Sequence, residues 1–202
     1  MILIGASGHA KVIIDILEKN NEAVDYLLDA NPEIKELAGY NVVTDRNHVD
    51  SLEEEYIISI GSNAIRKKIA EQRKLTYGWA IHPSAVLADD VSIGHGTVIM
   101  AGAILNSSSD IGNHAIINTS ASIDHDCKIG DYVHISPNAT LCGTIEVGEG
   151  TQIGAGATII PNVKIGKWVT VGAGAVIIKD VPDFTVVVGN PARVIRIKNG
   201  EE

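Results

Sequence analysis

A six-residue period runs through the second half of the chain and leaves few possible folds. From Ile81 to Ile177, every sixth residue is Ile, Leu or Val without exception. This period fits neither an amphipathic helix, whose apolar residues recur every three or four positions, nor a long alternating strand. It is typical of a solenoid in which the chain turns a corner every six residues.

The glycines show a second, longer period. Gly94, Gly112, Gly130, Gly148 and Gly166 are spaced eighteen residues apart, and no insertion interrupts the series. Since eighteen is three times six, the sequence predicts a triangular prism of about five coils with Ile, Leu and Val directed inward. We expect the glycines to occupy corners where a positive φ angle costs little.

The first 78 residues follow a different pattern. The segments MILIG, VDYLLD and EYIISIG predict three short buried strands, and HAKVIIDILEKN and NAIRKKIAEQRK predict helices after the first and third of them. We interpret this region as a small Rossmann-like βαβαβ domain. The predicted organisation is an α/β domain over residues 1–78, an all-β parallel β-helix over residues 79–182 and a C-terminal tail over residues 183–202.

Composition excludes several classes of function. The formal net charge is −9 and no run of five Lys or Arg occurs, which argues against nucleic acid or an anionic membrane as the main partner. The apolar N-terminus lacks a basic leading segment and is interrupted by Gly5, Gly8 and Lys11, so it predicts neither a signal peptide nor a membrane span. Two cysteines are too few for a disulfide framework, and we expect a cytoplasmic protein.

The loops after the predicted strands form a candidate binding site. GASGHA follows the first strand and opens a helix, where backbone N–H groups and the helix dipole can hold a phosphate. It reads G-x-x-G-x-A rather than the dinucleotide motif G-x-G-x-x-G, and a tight turn without a ligand is the alternative. Asp29 and the segment from Gly61 to Asn63 end the second and third strands at the same sheet edge. This crevice suits a nucleotide-linked substrate better than NAD.

Residues 118–136, NTSASIDHDCKIGDYVHIS, carry the candidate chemistry of the β-helix. His125 lies between Asp124 and Asp126, whose carboxylates can orient the imidazole and stabilise its protonated form, as a general base requires. An exposed charged corner without a function is the alternative. A second histidine, His134, follows nine residues later.

Four segments, GASGH, SIGSNAIRKK, NTSASIDHDCKIGDYVHIS and VVVGNPARVI, occur in this order over nearly the whole chain. Together with the hexad period, they resemble the bacterial hexapeptide-repeat nucleotide-sugar acetyltransferases. That family includes the UDP-4-amino-sugar N-acetyltransferase of bacillosamine synthesis and the sialic acid O-acetyltransferases. The resemblance implies a left-handed β-helix, acetyl-CoA as co-substrate and a nucleotide-linked amino sugar, with UDP as the expected nucleotide.

The resemblance also implies roles for individual residues. His125 is the expected catalytic base, Asp126 is the carboxylate that raises its basicity, and His134 contacts acetyl-CoA. The residues expected at the nucleotide sugar are Ser7, Gly8, His9, Asp29, Ala30, Gly61, Asn63 and Asn118.

The chemistry of acyl transfer suggests further site residues. A thioester is already activated, so the acceptor attacks it directly and His125 takes the proton that the acceptor loses. Backbone N–H groups near Gly143 are expected to stabilise the oxyanion. The small side chains of Ala155 and Ala173 leave a groove for the pantetheine arm of acetyl-CoA, and the reaction needs no metal.

Three functions remain open at this point. N-acetylation of a nucleotide-linked amino sugar is favoured. O-acetylation of a sugar such as sialic acid is an alternative, because the same base serves an amine or a hydroxyl. A non-catalytic trimeric scaffold is another alternative, because a fold alone implies no function.

The nine-residue separation of the two histidines predicts an oligomer. It is half of one coil, so we expect His125 in the middle of one side and His134 near the far end of the next side, on a different face. The two side chains then cannot reach one thioester within a single chain. If both serve the same reaction, His125 of one chain faces His134 of a neighbour in a homotrimer with three shared sites.

Overall fold

The computed structural model describes residues 1–45 and 48–200. The first part of the chain is an α/β domain with one six-stranded sheet, in the strand order β3-β4-β2-β1-β5-β6. All neighbouring strands are parallel except β3 and β4. The elements are β1 (Ile2–Ile4), α1 (Gly8–Lys19), β2 (Tyr26–Asp29), β3 (Glu36–Leu37), β4 (Tyr40–Thr44), β5 (Glu55–Ile58), α2 (Asn63–Gln72) and β6 (Thr76–Tyr77).

The three central strands are buried because apolar side chains extend from both of their faces. Leu3, Leu27 and Ile57 pack with the apolar side of α1, and the alternate strand positions form a second cluster with α2. The three strands and two helices predicted from the sequence are confirmed. Since β1, β2 and β5 are parallel, the loops that follow them meet at one edge of the sheet.

The predicted βαβαβ order is incomplete. The hairpin of β3 and β4, rather than a helix, follows β2, and β6 adds a strand beside β5. The hairpin turn is formed by Ala38 and Gly39, whose φ angles of 52° and 87° are typical of a type I′ turn. β3 has two residues and neither is buried, and β4 is interrupted by the exposed Asn41, so the hairpin lacks the continuous apolar run of the three central strands.

From Ala80 the chain forms a parallel β-helix with three sheets. The first sheet contains β7 (Ala80–Ile81), β10 (Val98–Ile99), β13 (Ile116–Ile117), β16 (His134–Ile135), β19 (Gln152–Ile153) and β22 (Thr170–Val171). The second contains β8 (Val86–Leu87), β11 (Ile104–Leu105), β14 (Ser122–Ile123), β17 (Thr140–Leu141), β20 (Thr158–Ile159) and β23 (Val176–Ile177). The third contains β9 (Ser92–Ile93), β12 (Asp110–Ile111), β15 (Lys128–Ile129), β18 (Glu146–Val147) and β21 (Lys164–Ile165).

The hexad residues form the core of the β-helix. Each strand pairs with the strand eighteen residues later, so Ile99 lies beside Ile117, and Ile117 beside Ile135. These three side chains are 0% exposed, and each contributes roughly 1.5–3 kcal/mol through burial. The predicted fold class, an α/β domain followed by a left-handed parallel β-helix, is confirmed.

The glycines spaced eighteen apart have a different role from the one predicted. Positive φ angles occur two residues further along, at a corner position that also accepts His114 (52°) and Tyr132 (59°). The glycine column is required by close contact between coils. A Cβ atom on Gly148 would lie 2.6 Å from the carbonyl carbon of Gly166 and the amide nitrogen of Lys167.

We therefore expect Gly148→Ala to destabilise the β-helix, because the obstructing atoms belong to the backbone of the next coil. Overpacking of this kind costs about 1–3 kcal/mol, which lowers the melting temperature by on the order of 5 °C. Gly61→Ala is the matched control, since nothing lies within 4 Å of its Cβ position. Equal melting temperatures for the two variants, measured by circular dichroism, would contradict this role of the glycine column.

The outer faces of the three sheets differ. The α/β domain covers the start of the first sheet, where Ala80, Val98 and Ile116 are buried against it. The outward residues of the second sheet are uncharged: Val86, Ile104, Ser122, Thr140, Thr158 and Val176. Those of the third sheet are mostly charged: Ser92, Asp110, Lys128, Glu146 and Lys164. The second sheet is thus the uncharged face that the α/β domain leaves uncovered.

The segment predicted as a C-terminal tail is largely part of the first sheet. β24 (Thr185–Gly189) pairs in parallel with β22, and β25 (Ala192–Ile197) returns antiparallel to β24. No α-helix within residues 1–45 and 48–200 is long and apolar enough to cross a membrane.

Candidate active site

His125 lies at the corner between the second and third sheets, after β14 and before β15. The next residue, Asp126, has a left-handed φ of 59°, and its Oδ2 lies 2.6 Å from His125 Nδ1. On the other side, Asp124 Oδ1 accepts a hydrogen bond from the His125 backbone N–H at 2.9 Å. When Nδ1–H donates to Asp126, the lone pair of Nε2 is left as the basic site of the ring.

The two carboxylates make this imidazole more basic than an ordinary histidine. The hydrogen bond to Asp126 is the main cause of the raised pKa of His125, and the negative charge of Asp124 adds to it. The side chain is 57% exposed, so substrate and solvent both have access to Nε2. A raised pKa and an accessible Nε2 are the properties expected of a general base that meets its substrate at the protein surface.

Gly143 lies one coil further, directly beneath the His125 ring. A Cβ atom at this position would lie 2.6 Å from both Cε1 and Nε2 of His125. A glycine is therefore required here because a larger residue would displace the imidazole. The predicted oxyanion donor and the predicted base are in contact within one chain.

Gly143, Ala155 and Ala173 share one position in the coil, the first residue of a corner. At two equivalent positions, His125 and Thr119, the backbone N–H donates to a side-chain oxygen of the preceding Asp or Asn. The N–H groups of Gly143, Ala155 and Ala173 find no acceptor within the described parts of the chain. Ala155 and Ala173 are exposed at the corner between the first and second sheets. Such N–H groups are suitable donors for an oxyanion or for the amides of a pantetheine arm.

The residues predicted for the crevice meet at the carboxyl ends of β1, β2 and β5. Asp29 accepts hydrogen bonds from the N–H of Ala6 and the N–H of Asn31, each at 2.8 Å. Its carboxylate thus links the loop after β1 to the loop after β2, in which Ala30 is exposed. This contact gives Asp29 a role in shaping the crevice.

The N-terminus of α1 is open for a ligand. Ser7, its N-cap residue, makes no side-chain capping hydrogen bond. The Cβ positions of Gly8 and Gly61 have nothing within 4 Å, so there is free space over both loops. An uncapped N-terminus with free space above it favours an anionic group.

Two histidines from the two domains approach each other at this crevice. Burial lowers the pKa of His9 and of His134 to about 4, and the positive charge of Arg66 acts in the same direction on both. His134 Nε2 lies 3.0 Å from Asn118 Nδ2, and a hydrogen bond to the Gly61 backbone partly opposes the lowering of its pKa. His9 Nε2 is buried without a hydrogen-bond partner among the described residues. At neutral pH both rings are uncharged.

Asn63, another residue predicted to contact substrate, lies at the interface between the domains. Its Nδ2 donates to the Gly150 carbonyl at 3.0 Å, and its Oδ1 accepts from Arg66 Nη2 at 3.0 Å. Arg66 was not a candidate in the sequence, yet its Nε and Nη2 donate to the carbonyls of His114 (2.8 Å) and Tyr132 (2.9 Å) on successive coils. A buried arginine has no signal of its own within the helical pattern of SNAIRKK.

The structure separates the predicted site into two half-sites. His125, Asp126 and Gly143 lie at one corner, whereas His134 lies in the first sheet beside the crevice. The expected position of His125 in the middle of a side is wrong, because the residue lies at a corner. The expected position of His134 near the far end of the next side is also wrong, because the next side is the third sheet and His134 begins β16 in the first sheet. The two histidines have different neighbours, as expected for side chains on different faces.

Family models match both domains. The PglD N-terminal domain model matches residues 1–73, and the bacterial transferase hexapeptide model matches residues 108–143 and 144–179. A comparison with curated protein sequences gave no match.

Three similar solved structures extend over nearly the whole chain. A histidine-to-asparagine variant of perosamine N-acetyltransferase from Caulobacter crescentus, in complex with CoA and GDP-perosamine, is 37% identical with a TM-score of 0.91, covering 96% of both chains. The acetyltransferase domain of PglB from Neisseria gonorrhoeae FA1090, in complex with acetyl coenzyme A, is 35% identical with a TM-score of 0.91 and covers 96% of this chain and 98% of that one. WeeI from Acinetobacter baumannii AYE is 30% identical with a TM-score of 0.87 and the same coverage.

The repeat, the three-sided prism and the histidine corner define a transferase of the hexapeptide-repeat class. Within that class, the chain belongs to the family of PglD-type sugar acetyltransferases, as the sequence resemblance indicated. The prediction of an acyltransferase is confirmed.

Proposed function

We propose that this protein transfers the acetyl group of acetyl-CoA to the amine of a nucleotide-linked amino sugar, with His125 as the general base. The observation that carries this proposal is the imidazole held by Asp126 over Gly143, in a family of sugar acetyltransferases. Solved relatives are complexes with acetyl-CoA or CoA, which supports acetyl-CoA as co-substrate.

In this mechanism the sugar nitrogen attacks the thioester carbon while His125 Nε2 takes the proton that the amine loses. The negative charge that develops on the carbonyl oxygen is stabilised by backbone N–H groups near Gly143. Collapse of the tetrahedral intermediate breaks the carbon–sulfur bond and forms the amide. The proton on His125 then passes to the departing CoA sulfur, which regenerates the neutral base.

The crevice of the α/β domain supplies the proposed nucleotide-sugar site, with Ser7, Gly8 and Gly61 around the open N-terminus of α1. The sequence resemblance implied UDP, whereas one relative was solved with a GDP-linked sugar. We therefore propose a nucleoside diphosphate-linked amino sugar with uracil and guanine as the candidate bases. N-acetylation is favoured because that relative is named as an N-acetyltransferase of such a sugar.

A homotrimer joins the two half-sites. The uncharged second sheet is suited to face a threefold axis. One of its two corners carries His125, and the other carries Asn118, Ala155 and Ala173 beside His134. Around a threefold axis the first corner of each chain meets the second corner of its neighbour. We propose that each of the three sites contains His125 from one chain and His134 from the next.

The test is an assay of CoA-thiol release with acetyl-CoA and a panel of UDP-, GDP-, CMP- and dTDP-linked sugars. Each is offered with an amino group or with a hydroxyl at the same carbon. We expect release only with a UDP- or GDP-linked amino sugar, and a product that is heavier by one acetyl group. Release with hydroxyl sugars alone would indicate O-acetylation. Absence of acetyl-CoA binding by calorimetry would favour a non-catalytic scaffold.

The raised pKa of His125 sets the pH dependence of the reaction. A general base acts in its deprotonated form, so kcat/KM should rise with pH through the His125 pKa, which the hydrogen bond to Asp126 raises from its ordinary value. Asp126→Asn removes the charged acceptor. The acidic limb should therefore move to lower pH and the plateau should fall by about tenfold. A pH profile with the same acidic limb in both proteins would show that Asp126 does not tune the base.

A further inference from the structure

Arg66 carries a buried positive charge that is satisfied by hydrogen bonds alone. The residue is 1% exposed. Besides its bonds to the β-helix and to Asn63, Nη1 donates to the carbonyls of Ile60 (3.0 Å) and Gly61 (3.2 Å). All five N–H donors of a guanidinium are thus used, and every acceptor is uncharged. No carboxylate forms an ion pair with it in residues 1–45 and 48–200.

A buried ion without a counter-charge is costly, and the cost is reduced when an opposite charge binds nearby. Burial lowers the pKa of Arg66 to about 9, which leaves it charged at neutral pH. Its charge also contributes to the lowered pKa values of His9 and His134. The field of Arg66 therefore extends into the crevice, where both imidazoles are neutral.

The crevice offers space and donors for an anion in this field. α1 begins there with an uncapped N-terminus at Ser7, and the space over Gly8 and Gly61 is free. His9 Nε2 is buried without a partner among the described residues. A diphosphate in this position would face the N–H groups at the start of α1. The Arg66 guanidinium would lie on the other side of the Gly61 loop, whose carbonyl it holds.

We propose that Arg66 is the residue that selects a diphosphate-linked substrate, since its buried charge attracts the diphosphate and the diphosphate supplies the missing counter-charge. This proposal rests on the proposed function, in which the acceptor is a nucleotide sugar. Arg66 acts through space and by fixing the Gly61 loop, because its own donors are all occupied. It is a positioning and selectivity residue, and the catalytic base is His125.

The test compares nucleoside diphosphates with nucleosides as calorimetric probes: UDP with uridine, and GDP with guanosine. Arg66→Met removes the charge and Arg66→Lys retains it. Lys67→Met is the control, because it removes the neighbouring interdomain ion pair with Glu149 (2.7 Å). We expect Arg66→Met to weaken diphosphate binding by about tenfold or more and nucleoside binding by less than about twofold. Arg66→Lys keeps the charge but has three donors in place of five, so its diphosphate affinity should lie between those of the wild type and Arg66→Met. Lys67→Met should bind like the wild type.

Two results would overturn the role of Arg66. Equal diphosphate affinity in the wild type and Arg66→Met would show that the charge of Arg66 does not contribute to diphosphate binding. Equal losses for diphosphate and nucleoside would show that Arg66 only maintains the interface. If wild-type protein binds neither diphosphate but acetylates another acceptor, the nucleotide-sugar proposal fails, and this inference fails with it.

A measurement on the wild type covers the case in which Arg66→Met does not fold. Buried charges are screened much less by salt than exposed ones. The ratio of diphosphate to nucleoside affinity should therefore fall by less than about threefold between about 0.05 and 0.5 M salt. A steep loss of this preference would assign the selectivity to exposed cations and would overturn the proposal.

Discussion

His125→Ala is expected to lower turnover by about 10²- to 10⁴-fold, the usual range for removal of a general base. Acetyl-CoA affinity should change little, because the imidazole acts on the proton of the acceptor. The measurement is kcat by CoA-thiol release, with the affinity for acetyl-CoA by calorimetry. The effect should exceed that of Asp126→Asn, which leaves a weaker base in place.

His95→Ala is the matched control. His95 occupies the same first position of a corner as His125, is exposed and has no carboxylate on either side of it in the sequence. Its replacement should leave turnover close to that of the wild type. If His125→Ala kept near-normal turnover at neutral pH, the assignment of His125 as the base would be wrong.

The β-helix could be predicted from the sequence because every coil repeats the same constraint. One inward apolar residue per six positions fixes the side length, and the pairing of Ile99 with Ile117 follows from the period of eighteen. The six-residue pattern indicates less clearly which of the six positions form the corner. His125 was placed in the middle of a side for this reason, and the glycine column was assigned to positive φ instead of to contact between coils.

The hairpin of β3 and β4 was not predicted from the sequence. The strands around Leu3, Leu27 and Ile57 were predicted because both of their faces are buried. β3 has two residues and neither is buried, and Val42 is the buried residue of β4. The apolar pattern of the hairpin is therefore weak, and its turn at Ala38 and Gly39 carries no apolar signal. A pattern of apolar residues carries little information about such an element.

The parts of the site that arise between domains could not be predicted. His9 and His134 lie far apart in the sequence and approach each other only because α1 and the first sheet pack together. The burial of Arg66 has the same origin, since two of its partners belong to the β-helix. Local sequence indicates the chemistry of each half-site but does not indicate how the domains bring it together.

The most direct test of the proposed shared site uses mixed trimers of the proposed homotrimer. Chains with His125→Ala and differently tagged chains with His134→Ala are produced together, and trimers that contain both are isolated by the two tags. Each homotrimer should be nearly inactive, because every site lacks one of the two histidines. A mixed trimer retains one site in which both contributing chains supply an intact histidine.

The isolated mixed trimers should show about a third of the wild-type activity, because a ring that contains both kinds of chain has one intact site among its three. As a control, mixtures of His125→Ala with Asp126→Asn chains should show no activity beyond that of the parents, since both changes affect the same half-site. Recovery to about a third in the isolated trimers of the first mixture is the predicted result. No recovery in preparations that contain mixed trimers by mass spectrometry would place the complete site within one chain and contradict the account.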